Sequence, residues 1–362
     1  MVNKNEMTNK PPSFSICIPN FNYGKYIGHT IKSVLEQTYQ NFEIIVVDNA
    51  STDNSIEIVK SFNDSRVKLY KNNYNIGFAP NLQKTTSLAK NEFINLLSSD
   101  DQMKPNALET YASIIEENAE SRKSLLLLSD YESFDDNDNI TATINKSDSS
   151  FGRVKTLPPN KITAPKTYTK YTGTDVLKDG LSRLDTIGGF LTIAYSRELW
   201  LAIEGYNSIR TIGPDTHFIL KLLTQNPTVI HTSQILFRYR DQLSDNRSAI
   251  LNNVRLQIDQ YLNVLEFGNE NISKATGLRK DDLVTVFIKK YCLDKSLQSL
   301  SRGNYSLGFK IFTFALSTYP LKTFSNMKTY FVILLLALGP FSKIISSPLK
   351  LLYLFLRSKK NE

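Results

Sequence analysis

The sequence predicts an α/β fold: a mostly parallel central sheet flanked by helices, followed by a helical C-terminal extension. Two observations carry this. Within the first 120 residues, short β-rich apolar runs alternate four times with stretches of helical periodicity, the pattern of a parallel sheet covered by its crossover helices. The second run, Phe42–Asp48, is almost continuously apolar, as a strand buried on both faces must be.

In order, Phe14–Pro19 reads as the first strand, and Ile27, Ile31, Val34 and Leu35 recur at helical spacing behind it. After Phe42–Asp48, Asp53 opens a helix reaching Phe62, Val67–Tyr70 is a third strand, Pro80–Ala89 a helix, and Glu92–Leu97 a fourth strand. Residues 130–170 change character: Asp135–Ser150 is rich in Asp, Asn, Ser and Thr, and Pro158, Pro159 and Pro165 follow, so this stretch reads as an excursion from the core. Helices are expected over Thr174–Leu181, Glu198–Ile203 and Pro214–Thr224, the last with proline at its first turn. Between the first two lies an apolar segment, Gly188–Tyr195, and strands Thr228–His231 and Gln234–Tyr239 close the region. The expected division is a polar leader (1–12), an α/β domain (13–245), a helical extension (246–328) and a tail (329–362).

Composition narrows the function only a little. The chain has 362 residues, 41% hydrophobic and 22% charged, enough to bury a core. A net charge of +8 points to an anionic partner: nucleic acid, an acidic membrane surface or phosphorylated ligands. No helix concentrates Lys and Arg with aromatics, which argues against nucleic acid. Cys17 and Cys292 are far apart and outside any metal-ligand or CxxC pattern; both read as free thiols of a reducing compartment. Met1–Pro12 is polar, with no apolar core of a signal peptide, so the expected location is the cytoplasm.

In open parallel sheets, ligands bind beyond the carboxyl ends of the strands. There the sequence places Asn20 and Asn22, then Asp48, then Ser98, Ser99, Asp100 and Asp101. Asp48 could cap a helix, but Asp53 is better placed for that, which leaves Asp48 for a ligand. Adjacent acids at a strand end repel unless a cation answers them, and hard oxygen ligands favour Mg²⁺ or Mn²⁺ bridging to substrate phosphates. Asp101 reads as a cap for the helix entered through Pro105, leaving Asp100 for the metal. No GxGxxG follows the first strand, and no P-loop, nucleophile elbow or HExxH is present, so dehydrogenase, P-loop and zinc-hydrolase chemistry lack their parts.

Taken together, Ser15-Ile-Cys-Ile-Pro-Asn-Phe-Asn22, Ile44-Ile-Val-Val-Asp-Asn-Ala-Ser-Thr-Asp53, Asn75-Ile-Gly-Phe78 and Leu96-Leu-Ser-Ser-Asp-Asp101 resemble the family 2 glycosyltransferases of bacterial cell-surface polysaccharide type, which have the GT-A fold. The resemblance spans roughly residues 13–245 and lies in the ordered set more than in any one piece. It implies inverting transfer of a sugar, of the hexosyl or N-acetylhexosaminyl class, from a nucleotide-diphosphate donor, usually UDP-linked in this family, to a glycan or lipid-linked acceptor. Pro19, Asn22, Asp48 and Ser98 would then contact the donor nucleotide, and Asp100 would hold Mn²⁺ or Mg²⁺. Glu204-Gly-Tyr-Asn207 followed by Gly213-Pro-Asp-Thr-His217 is similar to the family's base-bearing stretch and nominates Asp215, which otherwise would cap its helix. Two positions depart from the family pattern. Ser98 stands where the acid-x-acid signature has its first acid, and Gln242 stands where a histidine is usual, with Arg240 nearby as a possible diphosphate clamp. These departures motivate the alternative of a catalytically impaired sugar-nucleotide or glycan-binding subunit.

The tail is apolar but interrupted. Tyr330–Phe341, broken by Gly339-Pro340, would reach about 18 Å as a helix, short of the roughly 30 Å bilayer core. One continuous span would put Lys343 near mid-bilayer at about 3 kcal/mol. Two short helices lying in the membrane interface are expected instead, with the basic residues on anionic headgroups; a buried helix pair or dimer interface is the alternative.

Overall fold

A computed structural model describes residues 10–145, 168–185, 190–210, 213–241 and 254–339. They divide into two compact units, residues 1–180 with 185–243 and residues 181–184 with 244–362.

The first unit is built on β1 (Phe14–Asn20), α1 (Gly24–Leu35), β2 (Phe42–Asp48), α2 (Ser55–Ser61), β3 (Val67–Lys71), α3 (Phe78–Ser87) and β4 (Phe93–Leu96). β5 (Gln102–Met103), α4 (Ala107–Glu116), β6 (Leu125–Phe134), β7 (Ile140–Ile144), β8 (Tyr168–Thr172) and α5 (Gly173–Arg183) follow. β9 (Ala194–Ser196), α6 (Arg197–Ala202), α7 (Pro214–Thr224) and β10 (Thr228–Arg240) complete it. Among the described residues the sheet runs β3-β2-β1-β4-β9-β6-β10-β5, with β7 on β6 and β8 on β10. It is parallel from β3 to β4 and again between β6 and β10, while the short β9 pairs antiparallel to β4 and β6. This mixed sheet covered by helices is the expected GT-A architecture.

The apolar runs explain the parallel half. All of β2 is buried, and so is all of β1 except Pro19. Ile16 and Ile18 meet Ile44 and Val46 of β2 and Ile27, Ile31 and Val34 of α1 in one core cluster, each such side chain contributing about 1.5–3 kcal/mol of burial. Cys17 faces the other side, its thiol donating to the Thr85 carbonyl at 3.6 Å, and burial pushes that thiol far above its ordinary range. Both cysteines are free and buried.

Three expectations are corrected. Residues 130–134 are not an excursion but the second half of β6, a buried strand in the middle of the sheet. Their polar side chains are tolerated because partners answer them: Asp130 meets His231 at 2.8 Å, and Glu132 meets Lys104 at 2.8 Å and Arg238 at 3.1 Å. The two short strands expected over 228–239 are a single strand, β10, with register shifts between Thr232 and Phe237. The helix expected from Pro80 begins two residues earlier, at Phe78; proline is tolerated in a first turn, where no helical acceptor awaits its missing N–H. Residues 146–167 of the expected excursion lie outside the described residues.

The second unit is helical: α8 (Arg255–Phe267), α9 (Glu270–Thr276), α10 (Lys280–Val286), a π-helical turn (Phe287–Leu293), α11 (Asp294–Ser301), α12 (Tyr305–Thr318), α13 (Pro320–Phe324) and α14 (Lys328–Leu338). Phe287, Tyr261, Phe314 and Tyr319 form an aromatic cluster within it, edge to face except for the tilted Tyr261–Phe287 pair. No described helix is long and apolar enough to cross a membrane. The tail beyond residue 339 lies outside the described residues.

Candidate active site

Parallel pairing sets Asn20 beside Asp48 at the carboxyl ends of β1 and β2. Asn20 donates its amide to Asp48 Oδ1 at 2.8 Å, and Ser51 donates to the same carboxylate through its hydroxyl at 2.5 Å and its backbone N–H at 2.9 Å. The Ser51 hydroxyl in turn accepts the Asn22 N–H at 2.9 Å, and Asn22 Oδ1 accepts the Thr52 N–H at 2.8 Å. Asn22 and Ala50 take the left-handed backbone that this tight crossing needs, φ 58° and 64°. Asp48 is 1% exposed. Its carboxylate therefore organises the turn, a role its strand-end position alone did not reveal. Asp53 ties two helix starts together, accepting the Gly24 N–H at 2.7 Å and the Ser55 N–H at 3.0 Å.

Beside this lattice a chain of asparagines forms a wall. Asn49 Oδ1 accepts from Asn72 at 2.8 Å and from the Ile76 N–H at 3.0 Å, and its amide donates to Asn75 at 2.9 Å. Asn72 also donates to Asn81 at 2.9 Å and accepts from Lys84 at 2.7 Å.

β4 ends in a turn carrying Ser98, Ser99, Asp100 and Asp101. Ser99 joins it to β1 by donating to the Pro19 carbonyl at 2.8 Å. Asp101 is buried and accepts the backbone N–H of Arg240 at 2.9 Å, and its own N–H donates to the Ser98 carbonyl at 3.2 Å. The next helix, α4, starts at Ala107 after Asn106, so Asp101 is not its cap. Burial first, then the charge of Asp100, holds the Asp101 carboxyl well above the usual carboxylate range. Asp100 is the partly exposed member of the pair.

Arg240, at the end of β10, fastens this turn. It is 7% exposed. Its Nε donates to the Asp100 carbonyl at 3.1 Å, and one terminal nitrogen reaches the Asp135 carbonyl and Asp136 Oδ1 at 3.4 Å each. The guanidinium lies 4.7 Å from the Tyr26 ring centre and 4.3 Å from that of Phe134. Asp136 also receives Lys25 at 2.7 Å and the Tyr26 hydroxyl at 3.1 Å. Tyr23 stands against the acids, and burial followed by the charges of Asp100 and Asp101 pushes its hydroxyl up to about 12. Lys25, Tyr26, Tyr23 and Asp136 escaped the sequence reading. The adjacency of Tyr23 to Tyr26 with the first motif was the one local signal for three of them.

Asp215 belongs to a second group. It is the second residue of α7, behind Pro214, and the helix has no side-chain cap. Burial raises its carboxyl above the ordinary aspartate range, against the N–H groups of Thr216 and of Asp215 itself; the charge of Asp185 adds to the rise. Tyr206 stacks on Phe218 of the same helix with ring centres 3.7 Å apart, and Phe218 meets Tyr195 of β9 at 5.2 Å. Lys221 ties the segment down through the Ile203 carbonyl at 3.0 Å and Asn207 at 2.8 Å. Gly205 makes the turn at φ 69°, and an added Cβ would meet the Trp200 ring at 2.5 Å. Gly205→Ala is accordingly expected to destabilise the chain by about 2–5 kcal/mol, strain and overlap together, read as a lowered Tm. Gln242 lies outside the described residues.

The structure thus gathers Pro19, Asn22, Asp48, Ser98, Asp100 and Arg240 at one sheet edge and sets Asp215 at a helix start beside β9. Among the described residues no three His, Cys, Asp or Glu side chains cluster as a metal site. A divalent ion would fit here as one held by Asp100 and completed by ligand phosphates and water, the habit of Mg²⁺.

Residues 15–166 match the family model described as glycosyl transferase family 2. The chain is 38% identical over 127 residues to the glycosyltransferase GlyG of Streptococcus pneumoniae, covering 34% of this chain and 40% of that one. Over 104 residues it is 40% identical to WfgD of Escherichia coli, a UDP-Glc:α-D-GlcNAc-diphosphoundecaprenol β-1,3-glucosyltransferase, covering 29% and 41%. The match thus spans about two-fifths of the length of these relatives. Among solved structures, S. aureus TarS 1–349 in complex with UDP-GlcNAc superposes with a TM-score of 0.56 at 16% identity, covering 84% of this chain and 81% of that one. The same TarS segment without that ligand gives 0.54 at 18%, covering 88% of each. At such identity the likeness is one of fold.

Proposed function

We propose, on the premise of the match of residues 15–166 to the family 2 glycosyltransferases, that the chain is a member of that family and an inverting enzyme that transfers a hexosyl or N-acetylhexosaminyl group from a UDP-sugar to a lipid-linked glycan in surface polysaccharide synthesis. The observation that carries the reading is the Ser98–Asp101 turn, held by Arg240 and laid against the Asn20–Asp48–Ser51 lattice. The UDP donor is supported by the donor in the WfgD name and the ligand of TarS; the lipid-linked acceptor is supported by the diphosphoundecaprenol in the WfgD name.

In this reading Pro19, Asn22 and the asparagine wall border the nucleotide, and Asp48 keeps that border in shape. Asp215 takes the proton of the acceptor hydroxyl. The freed oxygen lone pair forms the bond to the anomeric carbon as the bond to the diphosphate breaks on the opposite face, so the configuration inverts. Mn²⁺ or Mg²⁺ at Asp100 would neutralise charge on the departing diphosphate. Ser98 removes one acid from the signature, but Asp100 remains partly exposed in the turn, and one carboxylate with ligand phosphates can hold a divalent ion. That favours a working enzyme over an impaired binding subunit. Location at the inner face of the cell membrane, with the tail as the contact, belongs to the same proposal.

Arg240 is committed to the acid turn, so its role is to position Asp100 more than to clamp phosphate. Arg240→Lys keeps the charge and loses the fork, and is expected to lower turnover up to about a hundredfold with donor KM little changed. The parent test is donor consumption with UDP- and GDP-sugars in the presence of Mn²⁺ and Mg²⁺, alongside a thermal-shift screen of the same ligands. Release of UDP from one UDP-sugar supports the enzyme. Stabilisation by UDP with no donor consumed under any acceptor supports the binding subunit.

A further inference from the structure

The last described helix, α14, is apolar around its circumference. Thr329, Val332 and Leu335 face inward, while Tyr330, Phe331, Ile333 and Leu334 are 55%, 37%, 41% and 46% exposed. The preceding α13 adds Leu321 and Phe324, 86% and 49% exposed. A helix at a water-facing surface turns polar side chains outward, and an apolar face of this extent marks a contact surface.

Charge selects the occupant. From Lys295 to Asn361 the sequence holds ten Lys and Arg and no Asp or Glu. The whole chain carries +8, so everything outside this stretch sums to −2. Two of the ten, Lys322 and Lys328, reach back to Asp281 and Asp294. A second copy would present the same cationic stretch across a twofold interface, where like charges oppose association. An anionic bilayer offers both an apolar layer and the opposite charge. The eleven residues of α14 reach about 17 Å, too short for the roughly 30 Å core, so the helix fits along the interface and not across it.

We propose that the α13–α14 face of the helical unit docks in the plane of a membrane rich in anionic lipid. This deepens the reading of a membrane-held acceptor and rests on it for its purpose, while the docking itself needs neither donor nor acceptor. The test is co-sedimentation of the full chain with vesicles of phosphatidylcholine alone and of phosphatidylcholine with phosphatidylglycerol, in low and high salt. The expected result is binding to the anionic vesicles at least tenfold tighter than to the neutral ones and weakened by salt. Leu321→Glu with Phe331→Glu, both on the exposed face, should lower that binding at least tenfold without lowering Tm. Equal or absent binding to the two vesicles, or binding untouched by the double substitution, overturns the proposal. So does a dimer in solution that the same substitutions split. Vesicle binding without donor consumption defeats the enzyme reading alone; donor consumption without vesicle binding defeats the docking alone.

Discussion

Asp100→Ala is expected to abolish sugar transfer, lowering turnover by about a thousandfold or more, the scale of losing charge stabilisation at a departing diphosphate. Asp100 is the partly exposed acid of a turn whose other acid is buried and engaged with the backbone N–H of Arg240. No neighbour in that turn can replace it. Binding of UDP without divalent ion should change little, because the Asn20–Asp48–Ser51 lattice does not include Asp100. Binding enhanced by Mn²⁺ should vanish. Calorimetric titration of UDP with and without Mn²⁺, set beside donor consumption, checks both parts. A variant with full turnover would remove Asp100 from the site.

Asp215→Asn is expected to lower turnover about a hundred- to ten-thousandfold with donor binding preserved, the range of a lost general base. The raised carboxyl gives two further readouts. As a base it must be ionised, so turnover should fall on the acid side at a pH above the ordinary aspartate range, and the residual rate of the asparagine variant should lack that limb. Stability runs the other way. A carboxyl harder to ionise when folded than when unfolded costs stability once the pH is above the folded value, and the cost disappears as the pH falls below the unfolded one. Near neutrality Asp215→Asn should therefore raise Tm even as it removes activity. A purely structural helix-start acid would give the opposite sign on removal.

The strands through β4 and the acids at the strand ends were legible because their signals are local: apolar runs, turn residues and motifs a few positions long. What escaped depends on distant partners. The second half of β6 looks like polar loop until His231 is set against Asp130 and Arg238 against Glu132, each more than 100 positions away. Asp101 reads as a helix cap until Arg240 arrives from β10. Asp48 was visible at its strand end, but its bonds to Asn20 and Ser51, which shape the turn, were not. In each case the residue type and its place were visible, and the group that occupies it was not. The identity of Asp136 as a partner of Lys25 and Arg240 had no sequence signal, since it sits in a run of similar polar residues.

The bond from Arg240 to Asp101 joins positions 139 residues apart, so the acid turn depends on the far end of the domain. β1 to β4 and the asparagine wall involve contacts within the first hundred residues. The acid turn cannot be finished until β10 slides in beside β6. A chain without β10 would therefore lack the groups that order the acid pair. Under the proposed function the order of the acid pair depends on the last strand of the sheet, and changes that loosen β10 are expected to cost turnover before they cost nucleotide binding.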